Sequence, residues 1–180
     1  KSQYDEFQKI TILGTQAGIS KLIIDDAMRY HKKISEAKTF RGLNRDGIIA
    51  ASIYVSARIN KFPRTAREIA TIFNLDSTAA TRGCKNAISI INELESELEN
   101  TDKTTLCQTT PLSFIDRYCS KLNMNQELTN VCKFVATRIQ RNNLIPENTP
   151  HSIAAGIVYF IAQVCNINIG KKIVSQISEI

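Results

Sequence analysis

The sequence of 180 residues predicts an all-α protein built from two copies of one helical domain. Apolar residues recur along most of the chain at the i, i+3, i+4 and i+7 spacing of amphipathic helices, and the alternation typical of strands is scarce. Apolar residues make up 43% of the chain, which is enough to build hydrophobic cores. In addition, the pattern of the first half returns in the second half.

The internal repeat is clearest in two apolar segments, IIAASIYVSA at 48–57 and IAAGIVYFIA at 153–162. A shift of 105 residues superimposes them and pairs Tyr54 with Tyr159. This period is too long for the unit of a solenoid. We therefore predict two copies of one helical domain.

The first copy is predicted at 1–100 and the second at 111–180, with a polar, threonine-rich linker at 101–110 between them. Periodicity predicts helices of the first copy at 4–14, 20–36, 44–60, 65–74 and 78–98, and of the second at 111–122, 125–142, 150–165 and 170–180. The helix at 44–60 is apolar on nearly all faces, so we expect it to be central. Its counterpart at 150–165 should begin with Thr149 as N-cap and Pro150 at the first helical position. A counterpart of 78–98 is absent, and the second copy is expected to be truncated before its last helix.

The segment FPRTAREIATIFNL at 62–75 contains the signals of a helix start. Pro63 cannot continue the preceding helix, and Thr65 with Glu68 three residues later predicts a capping box. After a tight turn, a second helix places hydroxyl and basic groups in its first turns: Thr78, Thr81, Arg82 and Lys85. Such a pair near 65–98 is typical of a helix-turn-helix that meets DNA. The alternative is an ordinary tight helix pair of a bundle, with Arg67 and Glu68 in solvent-exposed pairs.

The positive charge of the chain is concentrated around this segment. The net charge is +6. Between Lys38 and Lys85 stand nine basic residues, Lys38, Arg41, Arg45, Arg58, Lys61, Arg64, Arg67, Arg82 and Lys85, against three acids, Asp46, Glu68 and Asp76. A local excess of this kind indicates a surface that faces phosphates, or else a solvated surface without a partner.

Nothing in the sequence indicates catalysis, a cofactor or a metal. Neither of the glycine-rich phosphate-binding motifs occurs. His31 and His151 have no ligand-type neighbour at suitable spacing, and we expect both at the surface or at a helix entry. No run is apolar enough for a membrane span.

Two further groups of residues have structural interpretations. The odd number of cysteines, five without a C-x-x-C motif, predicts reduced thiols that mostly lie in cores. The acids Glu93, Glu95, Glu97 and Glu99 stand at the end of a predicted helix, where the dipole does not favour them. They predict a solvated face, or a face that repels DNA.

The chain resembles a known family in two places. FRGLNRDGIIAASIYVSARINKFPRTAREIATIF at 40–73 is similar to the first cyclin-like repeat of transcription initiation factor IIB and its archaeal and viral relatives. SFIDRYCSKLNMNQEL, LIPENTPHSIAAGIVYFIAQ and GKKI resemble the second repeat of that family. The resemblance implies two tandem five-helix cyclin-like repeats that bind the TATA-binding protein and promoter DNA flanking the TATA box, and help to recruit RNA polymerase.

The resemblance also implies roles for individual residues. Arg41 and Gly42 match a basic-glycine element that lies against DNA, and Arg45 is expected to replace an arginine that the family often has at Leu43. Together with the charge pattern, this predicts DNA contacts at Arg41, Gly42, Arg45, Arg64, Thr78, Thr81, Arg82 and Lys85. Partner contacts are predicted at Arg58, which matches a position facing an acidic loop of the TATA-binding protein, and at Lys61. Glu147-Asn148 replaces the Gly-Arg pair of the family.

The same resemblance implies a monomer without catalytic activity that works in the nucleus, or in the cytoplasm if its source is an archaeon or a cytoplasmic DNA virus. One alternative is a cyclin-like regulatory protein that docks a kinase or a peptide, because the same fold serves both roles. Another is a relative that serves RNA polymerase III.

Overall fold

The computed structural model describes residues 3–180, and this part of the chain contains nine α-helices and no strand. The helices are α1 (Gln3–Gln16), α2 (Lys21–Ala37), α3 (Gly42–Ile59), α4 (Ala66–Phe73), α5 (Ser77–Leu94), α6 (Leu112–Lys121), α7 (Gln126–Arg141), α8 (Pro150–Val164) and α9 (Lys171–Ser178). The predicted all-α class is confirmed, and every helix expected from periodicity is present.

The chain divides into two compact units, Lys1–Cys107 and Gln108–Ile180. The first unit contains α1 to α5, and the second contains α6 to α9. Within the first unit, residues that follow α5 still pack on the helices, because Leu106 contacts a core formed by α2, α3 and α5.

The centre of the first unit is α3, as its composition predicts. Ten of its residues are buried, from Gly47 to Ala57 with Tyr54 as the half-buried exception. Two buried serines satisfy their hydroxyls by donating to backbone carbonyls, Ser52 to Ile49 at 2.6 Å and Ser56 to Ile23 at 2.5 Å. A helix can therefore carry these polar groups in a core without an unpaired donor.

The helix starts agree largely with the local signals in the sequence. Thr65 accepts a hydrogen bond from the backbone N–H of Glu68, whose side chain accepts from the N–H of Thr65, so the predicted capping box is confirmed. Asp76 caps α5 by accepting from Ala79 at 2.9 Å. Pro150 opens α8 as predicted, but the hydroxyl of Thr149 donates to Ser152 rather than capping the helix.

The structure contradicts the alternative that puts Glu68 in a solvent-exposed pair and the prediction of an exposed face for Glu95. Glu68, considered above as one member of a surface pair, is 3% exposed because the capping box holds it at the start of α4. Glu95 is buried just after the end of α5, where Lys33 donates to its carboxylate at 2.8 Å. Glu93, Glu97 and Glu99 are exposed as expected.

In the second unit α8 takes the central position. It packs against α6, α7 and α9 around a core that includes the buried residues Phe114, Tyr118 and Val158. An open apolar groove of about 380 Å³ runs between α7 and α8 and is lined in part by Val135, Ile139, Ile153, Gly156 and Phe160. The shift of 105 residues relates these five positions to Tyr30, Ile34, Ile48, Ala51 and Val55, which share a core with α5 in the first unit.

Candidate nucleic-acid interface

The two helices predicted to form a helix-turn-helix are the short α4 and the longer α5. Asn74 ends α4 in the left-handed conformation, with φ of +54°, and Asp76 already caps the next helix. Only three residues therefore separate the helices, and Phe73 and Ile69 of α4 are buried in the core of the unit. This packing fixes α4 and leaves the outer face of the first turns of α5 exposed to solvent.

That outer face forms a surface pocket of about 440 Å³ on α5. It is lined by Ser77, Thr78, Thr81, Arg82, Lys85 and Asn86. The structure thus brings together four residues predicted to bind DNA, and all four are exposed. Ser77 and Asn86 were not predicted, although their spacing from Thr81 and Arg82 places them on the same helical face.

The chemistry of the α5 pocket suits phosphate oxygens. Arg82 and Lys85 supply cationic donors, and three hydroxyl groups and an amide supply neutral ones. Among residues 3–180, neither Arg82 nor Lys85 forms an ion pair. Both charges are therefore available to an external anion.

A second group of predicted residues lies at the start of α3. Arg41 and Gly42 are exposed, and Gly42 has φ of +57°, a conformation that glycine adopts without the steric cost other residues meet. Arg45 is different, because its Nε donates to the buried carboxylate of Glu6. The surrounding pocket of about 230 Å³ is also lined by Asp5 and Asp46. These carboxylates oppose a phosphate beside Arg45, and its predicted DNA contact has no support from the geometry.

Glu6 also faces His31, so the expected surface position of this histidine is wrong. His31 is 1% exposed, and its Nε2 lies 2.9 Å from Oε2 of Glu6. Burial lowers the pKa of His31 by desolvation, against the opposing effect of the Glu6 carboxylate, and the positive charge of Arg45 lowers it further. The group of Glu6, His31 and Arg45 ties α1, α2 and α3 together and belongs to the fold.

The residues predicted to bind a protein partner lie near the end of α3. Arg58 is half-buried, with its guanidinium 5.9 Å from the centre of the Tyr54 ring and its Nη2 donating to the carbonyl of Cys107 at 2.9 Å. Lys61 is exposed in the following turn with φ of +63°. Arg64 is half-buried between α3 and α4. Roles of these three residues in binding stay predictions.

The described residues contain neither a helix that is long and apolar enough to cross a membrane nor a cluster of side chains suited to hold a metal ion. The candidate site consists of the α5 pocket and the exposed start of α3. A helix-turn-helix with basic residues on its second helix is an arrangement that many DNA-binding proteins use.

Comparison with known proteins identifies the family. Residues 1–88 match the transcription factor TFIIB repeat. The chain is 31% identical over 98% of its length to a putative transcription initiation factor IIB-like protein of Acanthamoeba polyphaga mimivirus, and 28% identical over 96% to transcription initiation factor IIB of Oryza sativa subsp. japonica. A third relative is transcription initiation factor IIB of Encephalitozoon cuniculi, 29% identical over 84% of the chain.

The chain belongs to the transcription initiation factor IIB family. Its relatives are named as transcription factors and not as enzymes. The chain spans 40% of the mimivirus protein, 52% of the rice protein and 45% of the Encephalitozoon protein, so about half of their length or less.

Proposed function

We propose that the chain is the core of a general transcription initiation factor that binds the TATA-binding protein and promoter DNA flanking the TATA box, and helps to recruit RNA polymerase. The observation that carries this proposal is the α5 pocket, where Arg82 and Lys85 lie beside three hydroxyl groups and form no ion pair with any of residues 3–180. The family match supports the same role, because its members are named as initiation factors.

In this proposal, contacts with DNA phosphates supply the affinity for DNA, and the TATA-binding protein positions the chain on the promoter. Each cationic side chain that neutralises a phosphate releases counterions from the DNA. A plot of the logarithm of the association constant against the logarithm of the salt concentration therefore falls with a slope of about 0.9 for each contact on double-stranded DNA. We expect Arg82 and Lys85 to provide two such contacts and Arg41 a further one. In this proposal the protein functions in the nucleus, or in the cytoplasm if it comes from an archaeon or a cytoplasmic DNA virus.

A gel-shift titration with a TATA-containing duplex tests the proposal, with and without the TATA-binding protein and at several salt concentrations. The double variant Arg82→Ala/Lys85→Ala should weaken the ternary complex and reduce the salt slope by about 1.8, because two contacts are lost. A control for loss of charge elsewhere replaces Arg29 and Lys32, two exposed basic residues of α2 of which Arg29 pairs with Asp26, and should leave the slope unchanged.

Circular dichroism of both variants separates binding from folding, since the α5 side chains are exposed and their loss should not change helicity. Equal salt slopes for the wild type and the α5 variant would refute the assignment of the pocket to DNA. Recovery of a kinase, rather than the TATA-binding protein, in a pull-down would favour the cyclin-like regulator instead.

A further inference from the structure

The last residues of the first unit, Thr104–Cys107, form a strap that lies on its helices. The start of the strap is held by Glu95, which accepts hydrogen bonds from the N–H of Thr104 at 2.8 Å and from its hydroxyl at 2.6 Å. Lys33 donates to the same carboxylate at 2.8 Å, and Tyr30 contacts the Thr104 hydroxyl at 3.3 Å. Charge-assisted hydrogen bonds of this kind are strong, so the start of the strap is firmly attached.

The end of the strap is held through Arg58. Nη2 of Arg58 donates to the carbonyl of Cys107 at 2.9 Å, and the N–H of Cys107 donates to the carbonyl of Arg58 at 3.2 Å. Leu106 adds an apolar contact with the core under the strap. Both hydrogen bonds end on neutral carbonyl groups, which are weaker acceptors than a carboxylate.

Arg58 is incompletely satisfied in this arrangement. Its Nε is buried and forms no hydrogen bond within residues 3–180. A guanidinium offers five donors in a planar fork that matches the two oxygens of a carboxylate. A carboxylate that engaged Nε and Nη2 together would replace one neutral bond by two charged ones. A carboxylate that engages Nε and Nη2 together takes the place of the Cys107 carbonyl at Nη2, so Cys107 has to move for this contact to form.

We propose that the strap is a releasable cover, and that a carboxylate of an acidic protein partner displaces Cys107 from Arg58 while Thr104 stays bound to Glu95. The inference rests on the proposed function in one respect, the identification of Arg58 as a partner contact. It adds that binding at Arg58 competes with the strap, so the stability of the strap sets the affinity for the partner.

Amide hydrogen exchange tests the competition on the full chain, with hexaglutamate as the acidic probe and hexaglutamine as its neutral control. Hexaglutamate should accelerate exchange at Cys107 and leave Thr104 protected, and hexaglutamine should change neither. In Arg58→Ala, hexaglutamate should have no further effect at Cys107. Unchanged exchange at Cys107 at saturating hexaglutamate would overturn the proposal, even where the probe binds other basic residues.

A second measurement varies the strap and leaves Arg58 in place. Leu106→Ala removes about 1 kcal/mol of apolar contact from the strap and should raise the affinity for the acidic probe about fivefold. Leu98→Ala, a truncation of an exposed leucine, is the matched control and should not change the affinity. The gain should vanish in Arg58→Ala/Leu106→Ala. An unchanged or lower affinity of Leu106→Ala contradicts competition by the strap.

The experiments can contradict the proposed function and the competition at the strap independently of each other. If the chain does not bind the TATA-binding protein but hexaglutamate still releases Cys107, the competition stands and the partner has been assigned wrongly. If the ternary complex forms with Cys107 still protected, the proposed function stands and the strap does not cover the partner site.

Discussion

Gly83 of α5 crosses Gly47 of α3 with the two backbones in direct contact. A Cβ atom added to Gly83 would lie 2.3 Å from the carbonyl oxygen of Gly47, and one added to Gly47 would lie 2.9 Å from the carbonyl oxygen of Ala79. Such distances leave no room for a side chain. The crossing fixes the N-terminal half of α5, and with it the α5 pocket, against the start of α3.

We predict that Gly83→Ala destabilises the first unit by about 3 kcal/mol, because the new methyl group meets backbone that cannot move without separating two helices. This cost exceeds the gain of about 1 kcal/mol that alanine offers over glycine in a helix interior. Urea unfolding monitored by circular dichroism gives the free energy. A stability equal to that of the wild type would show that α3 and α5 can separate freely at this point.

Gly156 provides the matched control within the same chain. It lies in the interior of α8, and apart from its chain neighbours and the backbone of its own helix, a Cβ atom there would meet no atom of residues 3–180 within 4 Å. Gly156→Ala should therefore stabilise the protein by about 0.5–1 kcal/mol through helix propensity alone. If the change in the free energy of unfolding has opposite signs for Gly83→Ala and Gly156→Ala, the loss at Gly83 comes from steric contact and not from helix propensity.

The reactivity of the cysteines follows from their burial. Cys84, Cys119 and Cys132 are buried, whereas Cys165 is exposed and Cys107 is half-buried, so the prediction of mostly core thiols is confirmed. Burial raises the pKa of Cys84 to about 12. Because the thiolate is the reactive form, a buried thiol of this kind should react only when the chain unfolds.

We predict that iodoacetamide at pH 8 modifies Cys165 first and Cys107 more slowly, and leaves the three buried cysteines unmodified in the native protein. Peptide mass spectrometry after timed quenching locates each modification. Cys165→Ser should remove the fastest phase and leave the others unchanged. Modification of Cys84 in the native protein at the rate of Cys165 would contradict the packing of α5 against α3.

The sequence predicts what depends on neighbouring residues along the chain. The helices, the capping box at Thr65 and the α5 face with Arg82 and Lys85 all follow from spacing within one element, and the structure shows them. The sequence does not predict pairings between distant elements, because no local pattern indicates which charges meet. Glu6, His31 and Arg45 come from three helices, and Glu95 meets Thr104 only after the chain turns back. For this reason the sequence predicts external contacts for Arg45 and Arg58 but not their hydrogen bonds to Glu6 and Cys107 within the first unit.

The buried histidine makes stability depend on pH. Burial lowers the pKa of His31 below its ordinary value of 6.5, so the folded protein holds this side chain neutral where the unfolded chain takes up a proton. The stability that this provides is fully present above pH 6.5 and is lost as the pH falls through the lower folded pKa. Each pKa unit by which folding lowers the pKa of His31 corresponds to about 1.4 kcal/mol in the free energy of unfolding.

We therefore expect the free energy of unfolding, measured with urea, to fall between pH 7.5 and pH 5.5. His31→Gln removes the titrating group, so this variant should be less stable at pH 7.5 but should lose less stability over the same interval. His151→Gln replaces the other histidine of the chain, which is half-buried at the start of α8, and should retain the full pH dependence. If the stability of the wild type is constant over this interval, or if its fall persists in His31→Gln, the burial of His31 does not cause the pH dependence.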